Sequence, residues 1–328
     1  MVGPGRIAHL FADALAAVPG ARLVAVTGRD PGHALEFAAR WSRGGQMVRV
    51  VSDLDALLND SEVDAVYVAT PHSAHAGPVA AALCAGKPVL CEKPLAPTAE
   101  QAEVLVALAR ERGLFLMEAV WTRCLPAVLQ VGDWLEGGAI GRVSALQSSF
   151  CFHLPPDPLG RHFNPALAGG TLLDIGIYNL TLSQWVLARI GEHRVPEFHI
   201  GGRLADTGVD QRAVVQLDYP NGVSSQFVCA FDGDAENAFH IHGELGHITL
   251  AARFWECQHV SLRRPGQPAQ ELSLPFARNG FEYELIEAQR CIHAGLIESP
   301  LIPHRDTLAT LRLIDALRGR LGVRYPFE

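Results

Sequence analysis

Gly3-Pro4-Gly5-Arg6-Ile7-Ala8 stands directly before an apolar-periodic run over 7–18 and the strand-like stretch Leu23-Val24-Ala25-Val26-Thr27. A Gly-x-Gly-x-x-Ala turn opening a helix bends tightly and lets backbone approach a ligand closely. A pyrophosphate can then rest on the helix amino end. Working outward, Ala65-Val66-Tyr67-Val68-Ala69-Thr70 and the run over 88–91 are further short stretches, apolar throughout rather than alternating. Strands buried on both faces read this way, and their alternation with helical patterns predicts a parallel sheet with crossover helices.

The helix signals agree. Asp30-Pro31 supplies a cap and a proline at the first helical position. Thr98-x-x-Gln101 resembles a capping box before the stripe Ala102, Leu105 and Ala109, which stops at Gly113, and Gly86 ends a helix that begins near His75. The expectation is a doubly wound, Rossmann-type dinucleotide-binding domain over 1–120. Only Met1 and Val2 precede the glycine turn, so the strand that should lead into it, central in such a sheet, is expected to be nearly absent. A chain starting several residues upstream is the hypothesis that follows.

With 328 residues, two domains are the default; 48 % hydrophobic and 19 % charged residues describe a well-buried globular chain. A formal charge of −8, without a basic run or aromatic ladder, argues against nucleic acid as a partner. No apolar stretch of about 18 residues argues for a membrane partner, and no signal peptide precedes the glycine turn. The seven dispersed cysteines form no C-x-x-C pair and read as buried free thiols of a cytoplasmic protein.

Past about residue 120 the pattern changes. The stretches 143–153, 209–218, 223–232, 238–243 and 247–250 read as strands separated by short turns, and Asn221-Gly222 is a hairpin signal. In the third, Val223, Phe227, Cys229 and Phe231 share one face. The fold class is therefore α/β: the Rossmann domain, then an α+β domain over 121–328 with a large, mostly antiparallel, open-faced sheet. The free face suits a partner subunit, so a homodimer or higher homo-oligomer is expected.

Three motifs carry chemistry. Glu92-Lys93-Pro94 sits at the carboxyl end of the run over 88–91. Gly169-Gly170-Thr171-Leu172-Leu173-Asp174-Ile175-Gly176-Ile177-Tyr178 introduces a helix predicted over 173–188, with Asp174 and Tyr178 four apart on one face. A lysine from one domain and a tyrosine from the other suit work on one carbonyl or alcohol, beside a hydride carrier on the glycine turn. Each has a plainer reading: Tyr178 as a half-buried core aromatic, Asp174 as compensation of the helix dipole. The second strand's end, Thr27-Gly28-Arg29-Asp30, bears on the cofactor. NAD sites usually place an acidic residue there for the ribose hydroxyls. Asp30 is accounted for as a helix cap, and Arg29 can pair with a 2′-phosphate, which favours NADP over NAD.

At these residues the chain resembles the glucose–fructose oxidoreductase / inositol dehydrogenase family from the glycine turn to the final helix. Glu92-Lys93-Pro94, Met117-Glu118-Ala119-Val120-Trp121-Thr122-Arg123 and the segment 174–178 look most like its dimeric dihydrodiol dehydrogenase branch, which also oxidises D-xylose with NADP. Many inositol and sugar dehydrogenases of the family carry histidine where this chain has Tyr178.

The resemblance implies an NAD(P)-dependent dehydrogenase acting on a sugar or vicinal diol. The alternatives are an aldose oxidoreductase that keeps its nucleotide bound and a non-catalytic nucleotide sensor. Tyr178 would be the acid/base, with Lys93 supplying an ammonium that favours the phenolate or carrying the proton itself. Asp174 would orient substrate hydroxyls, and Trp121, Arg123 and Phe150 would line the pocket, Trp121 being nearly as well explained as core. Gly3, Gly5, Arg6, Ile7, Arg29, Thr70, Pro71, His72, His75, Glu92 and Lys93 form the expected cofactor set. The peptide before Pro94 is a candidate for the cis form. His240 and His242 share a strand face but lack an evident third ligand, so no metal is expected.

Overall fold

Short apolar runs become parallel strands in the computed structural model, which describes residues 1–42, 45 and 47–328. The chain divides into two units: Met1–Trp121 with Phe276–Leu308, and Thr122–Pro275 with Ala309–Glu328.

In the first unit, β1 (Ala25–Val26) pairs in parallel with β2 (Arg49–Val50), and β3 (Val66–Val68), β4 (Val89–Glu92) and β5 (Leu116–Ala119) form a second parallel group. The two groups are joined through Met1–Gly3. Val2 bridges to both Thr27 and Val68. Val2 N donates to Tyr67 O at 2.9 Å, Ala69 N to Val2 O at 2.8 Å and Thr27 N to Met1 O at 3.0 Å. The central position expected to be nearly empty is thus held by a single bridging residue and its neighbours.

The helices α1 (Arg6–Ala14), α2 (Pro31–Trp41), α3 (Leu54–Leu58), α4 (Ala76–Cys84) and α5 (Ala99–Arg112) follow the sequence signals. Asp30 accepts from Gly32 N and His33 N, Thr98 caps through Gln101 N, and Gly113 ends α5 in the left-handed conformation. The helix Phe281–His293 completes this unit, burying Phe281, Leu285, Ala288 and Cys291.

The second unit holds α6 (Pro126–Glu136), β6 (Val143–Cys151), α7 (Ile177–Arg189), β7 (Glu197–Leu204), β8 (Asp210–Asp218), β9 (Ser224–Ala230), β10 (Phe239–Gly243), β11 (Gly246–Leu250), β12 (His259–Arg263) and β13 (Gln270–Ser273). They form one eight-stranded sheet of order β13-β12-β11-β10-β6-β9-β8-β7, antiparallel except for β6 with β9. Asn221-Gly222 turns β8 into β9 as expected. Along β8, Ala213, Val215 and Leu217 are buried while Arg212 and Val214 are exposed, so one face supplies the core and the other is open and largely polar.

Strands β7, β12 and β13 carried no clear sequence signal. Gly201 and Gly202 interrupt β7, and all four residues of β13 are exposed, so pairing rather than burial places these two, whereas β12 buries Val260 and Leu262. The cysteine expectation needs one correction. All seven are free and six are buried, but Cys84 is exposed in the last turn of α4.

Candidate active site

Gly3 has φ +93°, and a Cβ there would stand 2.7 Å from Ala69 O, so only glycine fits between β1 and β3. Gly5 starts α1, which has no side-chain cap and no acidic residue in its first turn. The amino end of α1 therefore presents backbone N–H groups suited to a phosphate. Arg6 and Arg29 are exposed and Ile7 is half-buried. Arg29 has no ion-pair partner among the described residues, and Asp30 beside it is spent on the cap of α2.

At the end of β3, Thr70 Oγ1 donates to Ala74 O at 2.9 Å. The fully buried His75 stands between two carbonyls, Nε2 2.8 Å from Thr70 O and Nδ1 2.7 Å from Pro94 O. Burial holds the His75 pKa below its ordinary value although both carbonyls favour the charged ring. His75 is placed as a brace between the β3 loop and the Glu92-Lys93-Pro94 turn. Pro71 is half-buried, and His72 is buried with its ring 5.9 Å from that of His75.

Lys93–Pro94 is cis. Glu92 anchors the turn from beneath: Tyr67 Oη donates to Glu92 Oε1 at 2.5 Å and Lys93 N to Glu92 Oε2 at 3.3 Å. On the far side, Leu95 N donates to Glu118 Oε1 and Thr307 Oγ1 to Glu118 Oε2. Lys93 itself is half-buried. Trp121 stacks on Phe281 with ring centroids 4.6 Å apart, which fits its core reading.

In the second unit, residues Leu172–Gly176 form a π-helical turn running into α7. A wide turn of this kind, rare and frequent at functional sites, lets buried polar groups interrupt a helix start. Asp174 is 3 % exposed; Arg161 Nη1 donates to its Oδ1 at 2.9 Å, and His162 Nε2 lies 3.7 Å from Oδ2. One turn on, Tyr178 is buried with its ring 5.7 Å from Phe150, which stacks on Trp255 at 3.5 Å. Arg123 is buried in this unit as well.

The structure thus groups Asp174, Tyr178 and Phe150 in one unit, and the glycine turn, Thr70, His75, Glu92 and Lys93 in the other. The segment over 150–162 reads from sequence as pocket-shaping, but nothing in it assigns Arg161 or His162 a role, and Trp255, in the 3-10 turn Phe254–Glu256, carries no motif. Sequence reasoning also missed Asp210 and Glu284, acidic residues at buried positions of a strand and a helix. Among the described residues no group of three acidic, histidine or cysteine side chains could hold a metal ion, and no helix is long and apolar enough to cross a membrane.

Comparison with known proteins gives concordant matches. Residues 1–120 match the model of the oxidoreductase family with an NAD-binding Rossmann fold, and residues 128–249 the GFO/IDH/MocA C-terminal domain. The chain is 34 % identical to the trans-1,2-dihydrobenzene-1,2-diol dehydrogenase of Oryctolagus cuniculus over 99 % of both chains. It is 35 % identical to that of Danio rerio over 98 % of this chain and 96 % of the relative. A 3-ketoreductase from Actinomadura kijaniata, solved with TDP-benzene and NADP, superposes with TM-score 0.80 at 31 % identity, covering 97 % of this chain and 95 % of that one. An aldose-aldose oxidoreductase from Caulobacter crescentus gives TM-score 0.86 at 26 % identity, covering 98 % and 96 %.

Proposed function

The chain belongs to the Gfo/Idh/MocA oxidoreductase family of NAD(P)-dependent dehydrogenases acting on CH–OH groups, and from that premise we propose that it uses NADP to oxidise a sugar or vicinal diol, or to reduce the corresponding carbonyl. The observation that carries the reading is the π-turn: it buries Asp174 against Arg161 and sets Tyr178 one turn later against Phe150.

The glycine cradle and the uncapped amino end of α1 fit a dinucleotide, which when bound accepts or returns the hydride. Tyr178 takes the proton from the substrate hydroxyl during oxidation and returns it during reduction. In the alternative assignment Lys93, a lysine of the first unit, is the proton carrier. Asp174, kept in place by Arg161, accepts hydrogen bonds from neighbouring substrate hydroxyls. Arg29 supports NADP over NAD because an unpaired guanidinium there suits a 2′-phosphate, and the ketoreductase relative was solved with NADP. The open sheet face of the second unit is the surface for a second copy of the chain.

The test is turnover of a panel of sugars and diols with NADP by the wild type, Lys93→Ala and Tyr178→Phe. The reading holds if both variants lose kcat while NADP binding persists; turnover unaffected in both refutes it. Equal kcat/KM for NAD and NADP, or no change in their ratio in Arg29→Glu, refutes the NADP assignment. A second reading draws on the aldose-aldose oxidoreductase likeness: hydride shuttled between two sugars on a retained nucleotide. Nucleotide co-purifying with the protein would favour it.

A further inference from the structure

The first residue of β8 turns a carboxyl group inward. Asp210 is fully buried. Its Oδ2 accepts from Leu172 N at 2.6 Å and from Thr171 Oγ1 at 2.8 Å. Its Oδ1 has no hydrogen-bond partner among the described residues and faces Gly170, whose φ is +117°. A side chain at Gly170 would overlap that oxygen, so the glycine leaves the space the carboxylate occupies.

The same short segment is held from two other directions. Gly170 N donates to His162 O at 2.9 Å, and Tyr325 Oη donates to Gly169 O at 2.8 Å. Residues 169–172 are thus fixed by β8, the loop at His162 and the C-terminal tail, and they lead straight into the turn that carries Asp174 and Tyr178.

We propose that Asp210 is a positioning residue: its carboxylate fixes the start of the π-turn, hence the placement of Asp174 and Tyr178, and protonation weakens that hold and lowers turnover. The inference rests on the catalytic reading of Asp174 and Tyr178 given above.

Burial pushes the Asp210 carboxyl up to about 6, against the bonds from Leu172 and Thr171 and the positive charge of Arg318. The other titratable groups facing it are Cys229 on β9 and Tyr325 of the C-terminal tail. Burial raises both further above their ordinary values, so Asp210 alone among them titrates near neutrality. Charge-assisted hydrogen bonds are roughly twice as strong as neutral ones. The hold on Leu172 N is therefore full well above pH 6, half lost at about pH 6 and weaker below it.

The experiment is kcat against pH for the full-length wild type, Asp210→Asn, Thr171→Val and Tyr178→Phe, with NADP and the best substrate of the panel. Wild-type kcat is expected to fall with one proton as the pH drops below about 6. Asp210→Asn is expected to lose about tenfold in kcat, the factor set by exchanging a charged acceptor for a neutral one, with KM for NADP unchanged and that acid limb gone. Thr171→Val keeps the limb and loses a smaller factor. A purely structural role would lower the yield of folded protein without moving the limb.

The assignment is overturned if Asp210→Asn keeps wild-type kcat or the same acid limb. Should Asp210→Asn not fold, wild-type kcat in Thr171→Val overturns it. Wild-type turnover by Tyr178→Phe overturns this inference by removing the role of Tyr178 on which it rests, and the same result in Lys93→Ala as well brings down the proposed function with it. An inactive Tyr178→Phe beside an unaltered Asp210→Asn brings down this inference alone.

Discussion

Gly170→Ala separates two costs that a glycine substitution usually mixes. At φ +117° an L side chain is strained, which costs about 1–3 kcal/mol. The new methyl would also stand 3.0 Å from Asp210 Cγ and overlap its Oδ1. Either the carboxylate rotates away and surrenders at least one of its two bonds, worth about 1.5–3 kcal/mol for a charged acceptor, or the turn shifts. The sum is about 2.5–6 kcal/mol, centred near about 4. Gly191→Ala is the control: its φ is +80° but no heavy atom lies within 4 Å of the added Cβ. Strain alone acts there, about 1–2 kcal/mol. At about 2–4 °C per kcal/mol for a unit of this size, Gly170→Ala should melt roughly 10 °C below wild type and Gly191→Ala roughly 4 °C below. Thermal unfolding followed by circular dichroism reads both, and in Asp210→Ala the Gly170→Ala cost should shrink towards that of the control. Equal losses for the two glycines in the otherwise wild-type chain would refute the contact and the view that Gly170 is there to admit a carboxylate.

Arg161→Ala removes the cation paired with Asp174 and is expected to lower kcat/KM for substrate about tenfold with NADP binding intact; equal loss of both would mean a structural role. Glu284 is fully buried, and neither carboxyl oxygen has a partner among the described residues. Burial and nearby Glu92 push its pKa well above the ordinary carboxylate value. An acid raised in this way favours the folded state while protonated and loses that contribution as pH rises from the unfolded towards the folded pKa. Glu284→Gln should therefore melt higher than wild type at pH 8, with the gain shrinking towards pH 5; a gain constant with pH would show that Glu284 does not titrate. Tyr67→Phe deletes the 2.5 Å bond to Glu92 and should cost about 1.5–3 kcal/mol, measured by denaturant unfolding, and lower kcat through the loosened Lys93 turn.

What was legible in the sequence divides along physical lines. Local chemistry announced itself: Asp30-Pro31, Thr98, Gly113 and Asn221-Gly222 act on their immediate backbone, so their types fix caps and turns wherever the chain goes. Doubly buried strands such as β3 and β4 showed as unbroken apolar runs. The motif residues Lys93, Asp174 and Tyr178 were visible as types at spacings, but their supports were not, because support comes from residues distant in the chain. Asp210 meets Leu172 across 38 positions, Glu92 meets Tyr67 across 25, and Thr307 reaches Glu118 across 189. One signal was open to reading. In β8 an aspartate occupies a buried end of an otherwise alternating strand, and in the helix Phe281–His293 a glutamate sits on the apolar face beside Leu285. Placing a carboxyl on a buried face costs several kcal/mol unless something takes the charge or holds a proton. An acidic residue in an apolar register is therefore a place to look for a partner, and Gly170 leaves the space in which Asp210 reaches Thr171 and Leu172.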